Sequence, residues 1–258
     1  MITAGIDVGT EATKVVILRN SEIASWHVLI GGDEDAARLG EKALHQAVAK
    51  AGINPTEVQN LAATGLGGIQ MPFVNEQVPL AMCIARGVDW LLPSTRTALD
   101  LGAGKSLVVK CHHGRPIKIT RNDKCASETG KYLDIVAKIL GIGSEEMADL
   151  SLRSGEYVEI QSTCTVFAES EVISLLHMKR RPEDIARGAL RGLAKRIYPL
   201  LLEVGLERDV SLVGGVARNR GLVVALEELL GYDLLVPPEP QIVAALGAGL
   251  IAQGRVTS

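Results

Sequence analysis

The sequence contains few aromatic residues and few cysteines. Aromatic residues make up 3% of the 258 residues, so the core must be built from aliphatic side chains. The four cysteines are Cys83, Cys111, Cys125 and Cys164, and they form no CxxC pair. This spacing argues against a zinc ribbon and against a ferredoxin cluster held by one chain. A small disulfide-stapled fold is also excluded, because a chain of this length can bury a large core.

A strong charge of either sign and a long apolar run are also missing. The 27 Lys and Arg residues against 30 Asp and Glu residues give a net charge of −3, which provides no footprint for nucleic acid or an anionic membrane. No apolar run reaches about 18 residues, and the N-terminus lacks the pattern of a secretory leader. We therefore expect a cytoplasmic protein whose partners are small molecules or proteins, with no nucleic acid and no membrane.

Short β-branched and apolar runs, glycine turns and helical patterns alternate along the chain. The first half predicts strands at 2–8, 13–19 and 22–30, a helix at 33–51, a strand at 58–64, and three more strands from residue 96. The second half predicts helices at 125–140, 163–177, 182–204, 214–230 and 241–252, a short turn at 144–150, and strands at 209–213 and up to residue 236.

The opening pattern occurs twice. IDVGTEATKVV at 6–16 aligns with LDLGAGKSLVV at 99–109, which places Asp7 over Asp100 and Gly9 over Gly102. Such an internal repeat indicates two related α/β lobes.

Each copy of the repeat carries a glycine-rich turn after a strand. Backbone N–H groups, the Thr10 hydroxyl and Lys14 would converge at the first turn, an arrangement that suits a phosphate. A plain hairpin turn explains either copy alone, but two facing turns favour a phosphate clamp. The carboxylates of Asp7 and Asp100 would suit a magnesium ion or a nucleophilic water, and turn capping is the alternative.

A third glycine turn, at 213–219, follows a strand and opens a helix. Gly214 and Gly215 would let a flat ring or a ribose approach the backbone, although close helix packing explains the same glycines. The turn lacks GxGxxG and is not a Rossmann fingerprint.

Together with a small-residue helix at 244–249, these turns resemble the sugar kinase, actin and heat-shock chaperone superfamily. The resemblance implies an α/β fold of duplicated ribonuclease H-like lobes, the actin-like ATPase fold, with ATP or ADP and Mg²⁺ in the cleft between the lobes. The first lobe would comprise 1–94 completed by a helix at 241–254, and the second 95–240. The implied site residues are Asp7 and Asp100 as catalytic groups, with Gly9, Thr10, Lys14, Thr64, Gly65, Gly102, Gly104, Lys105, Gly214 and Gly215 as nucleotide contacts.

The segments at 122–130 and 162–171 closely resemble the ATPase activators of 2-hydroxyacyl-CoA dehydratases and the ATPase subunits of benzoyl-CoA reductases. This resemblance implies that Cys125 and Cys164 are ligands of one [4Fe-4S] cluster per dimer, with two cysteines from each subunit. Each cysteine would precede or begin a predicted helix, where unpaired N–H groups stabilise thiolates. Cys83 and Cys111 have no such context and are expected to be structural.

The same resemblance implies ATP-dependent one-electron transfer from ferredoxin or flavodoxin to an iron–sulfur catalytic component. The chain would act as a homodimer or as a heterodimer with a related ATPase subunit. Two alternatives stay open: a small-molecule kinase of the pantothenate or N-acetylglucosamine type with Asp100 as general base, and a nucleotide-gated regulatory protein without turnover.

One segment departs from the family pattern. Activators usually carry Asp-Ile-Gly-Gly-Gln-Asp at the second phosphate turn, where this chain has DLGAGK at 100–105. Three explanations follow: Asp100 suffices for hydrolysis, Lys105 adds a charged contact to phosphate, or this subunit hydrolyses ATP slowly.

Overall fold

The structure is a computed structural model that describes residues 1–31, 34–65, 71–122, 129–160 and 165–256. No helix in these ranges is both long enough and apolar enough to cross a membrane. The elements, in chain order, are β1 (Ile2–Val8), β2 (Ala12–Arg19), β3 (Glu22–Ile30), α1 (Ala36–Ala51), β4 (Asn60–Gly65), β5 (Glu76–Gln77), α2 (Leu80–Leu91), β6 (Thr97–Leu101), β7 (Ser106–His112), β8 (Arg115–Arg121), α3 (Gly130–Ile139), α4 (Ser144–Leu152), α5 (Thr165–His177), α6 (Pro182–Val204), β9 (Val210–Val213), α7 (Arg220–Leu230) and α8 (Val243–Val256).

The strands form two mixed sheets with matching topology. The first has the order β3-β2-β1-β4-β5, and the second has the order β8-β7-β6-β9. In each, an antiparallel three-stranded meander is followed by a strand that returns parallel to the first strand of the meander. The three strands predicted at each opening are confirmed. The parallel partners β4 and β9 extend the repeat well beyond the aligned segments.

Helices cover both faces of the two sheets. On the first sheet α1 packs against one face, and α8 packs against the other. On the second sheet one face meets α2 and the start of α8, and the opposite face meets the large cluster built from α3 to α7. The helices α2 and α8 therefore lie between the two sheets. The ends of β1, β4 and β6 lie on the same side of these helices.

Glycines allow α8 to approach its neighbours closely. A Cβ on Gly5 would lie 1.9 Å from the carbonyl oxygen of Ala245, and one on Gly247 would lie 1.8 Å from that of Cys83. No larger residue fits at either position, because such distances are far below a van der Waals contact. The small-residue helix read from the sequence thus serves as a tight joint between β1 and α2.

Several predicted boundaries differ from the structure. The predicted turn at 144–150 is the helix α4, with Glu145 and Glu146 in its first turn, where carboxylates favour helix formation. The predicted strand up to residue 236 is reduced to one bridge, between Ser211 and Leu235, because prolines follow directly. The predicted helix at 182–204 is confirmed at both ends; it starts with proline, and Gly205 ends it with φ 79°.

Candidate active site

A cleft of about 760 Å³ lies at the strand ends of the two sheets. Its volume falls within the range of small-molecule sites. The predicted site residues that line this cleft are Asp7, Gly9, Thr10, Lys14, Gly65, Asp100, Gly102, Lys105, Gly214 and Gly215.

The two turns predicted to bind phosphate, at 9–12 and 102–105, have the same backbone geometry. In the first, the N–H of Gly9 donates to the carbonyl of Ala12 at 3.0 Å, and in the second the N–H of Gly102 donates to the carbonyl of Lys105 at 2.9 Å. The repeat therefore preserves the loop closure as well as the residue types. Glycine suits this position in the first turn, since a Cβ on Gly9 would lie 2.8 Å from Lys14 Nζ.

The first turn contains a buried ion pair. Lys14 Nζ donates to Asp7 Oδ2 at 3.0 Å, and the two side chains are 14% and 11% exposed. Burial acts to lower the pKa of Lys14, but Asp7, which is also its hydrogen-bond acceptor, and the nearby Asp100 raise it above its usual value. Lys14 thus stays a cation inside the cleft, which suits a phosphate ligand.

The second turn has a carboxyl group in a different environment. Burial, followed by the negative charge of Asp7, raises the pKa of Asp100 from 3.8 to about 7, and Lys14 only partly opposes the rise. A carboxyl group with this pKa can accept a proton near neutral pH. Asp100 therefore fits the role of a general base for water or a hydroxyl group.

A glycine with positive φ lies beside each of these carboxyl groups. A Cβ on Gly65 (φ 85°) would lie 2.6 Å from Asp7 Oδ1, and one on Gly214 (φ 89°) would lie 2.5 Å from Asp100 Oδ1. The two glycines occupy matching places at the ends of β4 and β9. The sequence analysis singled out both for a ligand, whereas their packing against the aspartates shows an additional structural reason for glycine.

Two of the predicted contacts, Thr64 and Gly104, are buried. Thr64 is 3% exposed, and neither Thr64 nor Gly104 is among the residues that line the cleft. Lys105 is exposed at the rim. The roles assigned to all these residues stay predictions.

The sequence analysis missed the polar wall on the α7 side of the cleft. Arg218 Nη2 lies 3.2 Å from Glu145 Oε1, and Asn219 caps α7 by accepting from the N–H of Leu222 at 2.9 Å. Asp134 and Ser144 complete this wall and bond to each other. The only available signal was Asn219 before an apolar helical pattern, because Glu145 and Arg218 are far apart in the sequence.

The four cysteines fall into two groups. Cys83 and Cys111 are free thiols with 0% and 3% exposure, and burial raises their pKa values to about 12 and about 11. The structural role predicted for them is consistent with this burial. Cys125 and Cys164 lie outside the described residues. In the parts of the chain that are described, no three His, Cys, Asp or Glu side chains are grouped closely enough to hold a metal ion.

Comparisons with known proteins agree with this geometry. The sequence profile of the BadF/BadG/BcrA/BcrD ATPase family matches residues 4–252. The chain is 40% identical over 256 residues to a 2-hydroxyisocaproyl-CoA dehydratase activator of Clostridioides difficile, covering 98% of this chain and 95% of the relative.

Solved structures show the same relationship. The activator of the 2-hydroxyisocaproyl-CoA dehydratase from Clostridium difficile with bound ADPNP superposes with a TM-score of 0.94 at 37% identity, over 100% of this chain and 96% of its own. Component A of the Acidaminococcus fermentans (R)-2-hydroxyglutaryl-CoA dehydratase gives a TM-score of 0.97 at 35% identity, over 100% of both chains.

The likeness to a sugar kinase is confined to the fold. A glucokinase of the ROK family from Streptomyces griseus gives a TM-score of 0.60 at 13% identity, over 98% of this chain and 100% of its own. The predicted actin-like fold class is thereby confirmed, and the small-molecule kinase alternative is not favoured. The chain belongs to the BadF/BadG/BcrA/BcrD ATPase family.

Proposed function

We propose that this protein is an ATP-dependent electron-transfer activator of an acyl-CoA dehydratase or benzoyl-CoA reductase component. The observation that carries the proposal is the pair of aspartates, Asp7 and Asp100, held at matching glycine turns on opposite sides of one cleft. The similarity to a dehydratase activator with bound ADPNP supports a nucleotide in this cleft.

The described residues are suited to ATP hydrolysis. Lys14 and the N–H groups of the two turns would hold the phosphates, and the carboxylate oxygens of Asp7 suit Mg²⁺. Asp100 would accept a proton from the attacking water, because its pKa of about 7 leaves a large ionised fraction at neutral pH. Gly214 and Gly215 would let the adenosine approach β9 and α7.

Cys125 and Cys164 are the proposed ligands of a [4Fe-4S] cluster. Residue 164 directly precedes α5, and residue 125 lies five positions before α3. The two helices contact each other, and both contribute residues to the large core cluster of the second lobe. Helix N-termini favour thiolates, so the donor chemistry fits a cluster. A bound cluster would supply a one-electron carrier.

The quaternary and cellular setting belongs to the same proposal. Two cysteines per chain supply half of the thiolates of a [4Fe-4S] cluster, so the cluster requires a homodimer or a heterodimer with a related ATPase subunit. A reduced ferredoxin or flavodoxin in the cytoplasm would be the electron donor, and an iron–sulfur catalytic component the acceptor. We also keep the lobe boundaries of 1–94 with 241–254, and 95–240, as part of the proposal.

The test is the iron and acid-labile sulfide content of anaerobically purified protein. We expect about four irons and four sulfides per dimer in the wild type. Cys125→Ser and Cys164→Ser should each lose most of both. Cys111→Ala is the matched control, because Cys111 is a buried thiol on β7 and should leave the iron content unchanged. An iron-free protein after anaerobic reconstitution would refute the electron-transfer proposal.

A further inference from the structure

The first turn of α3 is bonded directly to the second phosphate turn. The N–H of Gly130 donates to the carbonyl of Gly102 at 3.2 Å, and the N–H of Lys131 donates to the carbonyl of Ala103 at 2.9 Å. These two N–H groups lie at a helix start, where partners within the helix are absent. The helix start must therefore follow any movement of this turn.

A buried hydroxyl pair strengthens the same connection. Ser106 Oγ and Thr129 Oγ1 are 2.8 Å apart, and the two residues are 3% and 1% exposed. Gly130 allows the close approach, since a Cβ there would lie 2.8 Å from the Cα of Ala103. The start of α3 is thus held against the second turn by hydrogen bonds and by close packing.

The same helix also reaches the first phosphate turn. Lys131 Nζ lies 3.2 Å from Glu11 Oε1, and Glu11 follows Thr10 in the turn between β1 and β2. The turn that holds Glu11 joins two strands of the first sheet, whereas α3 packs on the second sheet, so the ion pair connects the two sides of the cleft. The side chain of Glu11 is 52% exposed, and that of Lys131 is 46% exposed.

We propose that the Glu11–Lys131 ion pair is a latch that stabilises the closed cleft over the nucleotide. The position of α3 relative to the first turn would then depend on whether the cleft is closed. The proposal rests on the proposed function, because it takes ATP or ADP as the ligand of the cleft. Lys131 is fixed to the second turn through its own N–H, so its side chain can reach Glu11 only when the two turns are close together.

The latch biases the closure equilibrium without locking it. Exposed ion pairs change an equilibrium constant by a factor of about 1.4 to 5 and are screened by salt. A ligand that prefers the closed state gains only the part of this effect that differs between open and closed states. The expected effects on nucleotide affinity are therefore a few-fold.

The experiment is a charge-swap cycle on the full-length protein. ADP affinity is measured by calorimetry with Mg²⁺ for the wild type, Glu11→Lys, Lys131→Glu and the double swap. Each single change also alters the charge near the phosphates, so the decisive quantity is the departure from additivity. We expect the swap to bind ADP about 3- to 10-fold more tightly than the two single effects predict, and about 0.5 M salt should remove this difference.

The control is a second exposed ion pair that is remote from the cleft. Lys195 Nζ lies 2.9 Å from Glu159 Oε1 with similar exposure, and its swap cycle should be additive for ADP affinity. Hydrogen exchange adds a structural readout: ADP should protect 130–139 in the wild type and in the swap, but much less in either single variant.

The outcomes separate the two proposals. If the wild type fails to bind ADP, both the proposed function and the latch proposal are refuted. If the wild type binds ADP but the Glu11–Lys131 cycle is additive, or if protection of 130–139 is equal in all four proteins, the latch alone is refuted. The neutral variants Glu11→Gln and Lys131→Met repeat the cycle without like-charge repulsion and should show a smaller coupling of the same sign.

Discussion

The two predicted phosphate turns have the same backbone geometry, but the residue that pairs with the aspartate on the next strand differs between them. Asp7 on β1 pairs in register with Lys14 on β2, and the equivalent Asp100 on β6 pairs with Leu107 on β7. The first carboxylate thus has its own cation at 3.0 Å, whereas the second faces a leucine and relies on the more distant Lys14.

This difference divides the chemistry between the turns. A buried carboxylate with a paired lysine keeps a fixed geometry and charge, which suits phosphate and metal binding. A partly buried carboxyl group that lines the cleft without its own cation has a raised pKa, which suits proton transfer near pH 7. In the proposed function, one position, occupied by Lys14 on β2 and by Leu107 on β7, gives the two turns different roles.

Replacement of Asp100 should have the largest effect. We expect Asp100→Asn to reduce the rate of ATP hydrolysis about 100- to 1000-fold, because the amide cannot accept the proton, while ADP affinity changes only a few-fold. In the wild type the rate should rise with pH through about 7 as Asp100 ionises. Steady-state hydrolysis between pH 5.5 and 8.5 is the measurement, and an equal rate in both proteins would show that Asp100 is not the base.

The same substitution should stabilise the protein at alkaline pH. The folded state keeps the Asp100 proton up to about pH 7, whereas the unfolded chain loses it near pH 3.8. The wild type therefore binds more protons when folded between these values, and its stability falls as pH rises through this window. Asp100→Asn should be more stable than the wild type by on the order of 1 to 3 kcal/mol at pH 8, and no more stable below pH 4. Urea unfolding at both pH values checks the sign.

The glycines beside the aspartates should be equally intolerant of substitution. We expect Gly65→Ala and Gly214→Ala each to cost about 2 to 4 kcal/mol of unfolding free energy, because φ is positive and a Cβ would overlap the carboxyl oxygen. Gly215→Ala is the stability control, since a Cβ there meets nothing within 4 Å. Thermal unfolding of the three variants is the measurement. A large difference in unfolding free energy between Gly65→Ala and Gly214→Ala would show that the two turns are not structurally equivalent.

Transferring the lysine should make the second turn resemble the first. We expect Leu107→Lys to lower the pKa of Asp100, so the midpoint of the pH–rate profile moves to lower pH by about one unit or more. Leu107→Met keeps the volume without the charge and should leave the midpoint near the wild-type value. An unchanged midpoint in the lysine variant would mean that this residue does not set the difference between the turns.

Lys105 should have the smallest effect. It is exposed at the rim of the cleft, so Lys105→Ala should raise the KM for ATP about two- to five-fold with little change in kcat. Lys118→Ala on β8 is a control for the loss of a surface charge. A loss of kcat instead of KM would assign Lys105 a role in hydrolysis.

The repeat and the glycine turns could be predicted from the sequence because local chemistry sets them. Asp7 and Asp100 lie near the ends of apolar strands that Gly9 and Gly102 follow, and α6 is marked by a proline at its start and a glycine after its end. The exchange of Lys14 for Leu107 was also visible in the alignment of the two copies, although its effect on Asp100 depends on burial that only the fold creates.

Other parts of the site arise from tertiary structure. The contacts of Glu145 with Arg218 and of Glu11 with Lys131 join residues more than seventy positions apart, and no local pattern marks them. The helix α4 was missed because its nine residues are shorter than the window over which helical periodicity can be recognised. For Cys125 and Cys164 the prediction came from the flanking sequence, and it stays a prediction.

The most direct test of the whole account is the ratio of iron to bound ADP in one anaerobic preparation of the protein. About two irons and about one ADP molecule per chain would show that the chain combines its share of a cluster with a nucleotide cleft. ADP bound without iron after reconstitution, or iron without ADP, would contradict it.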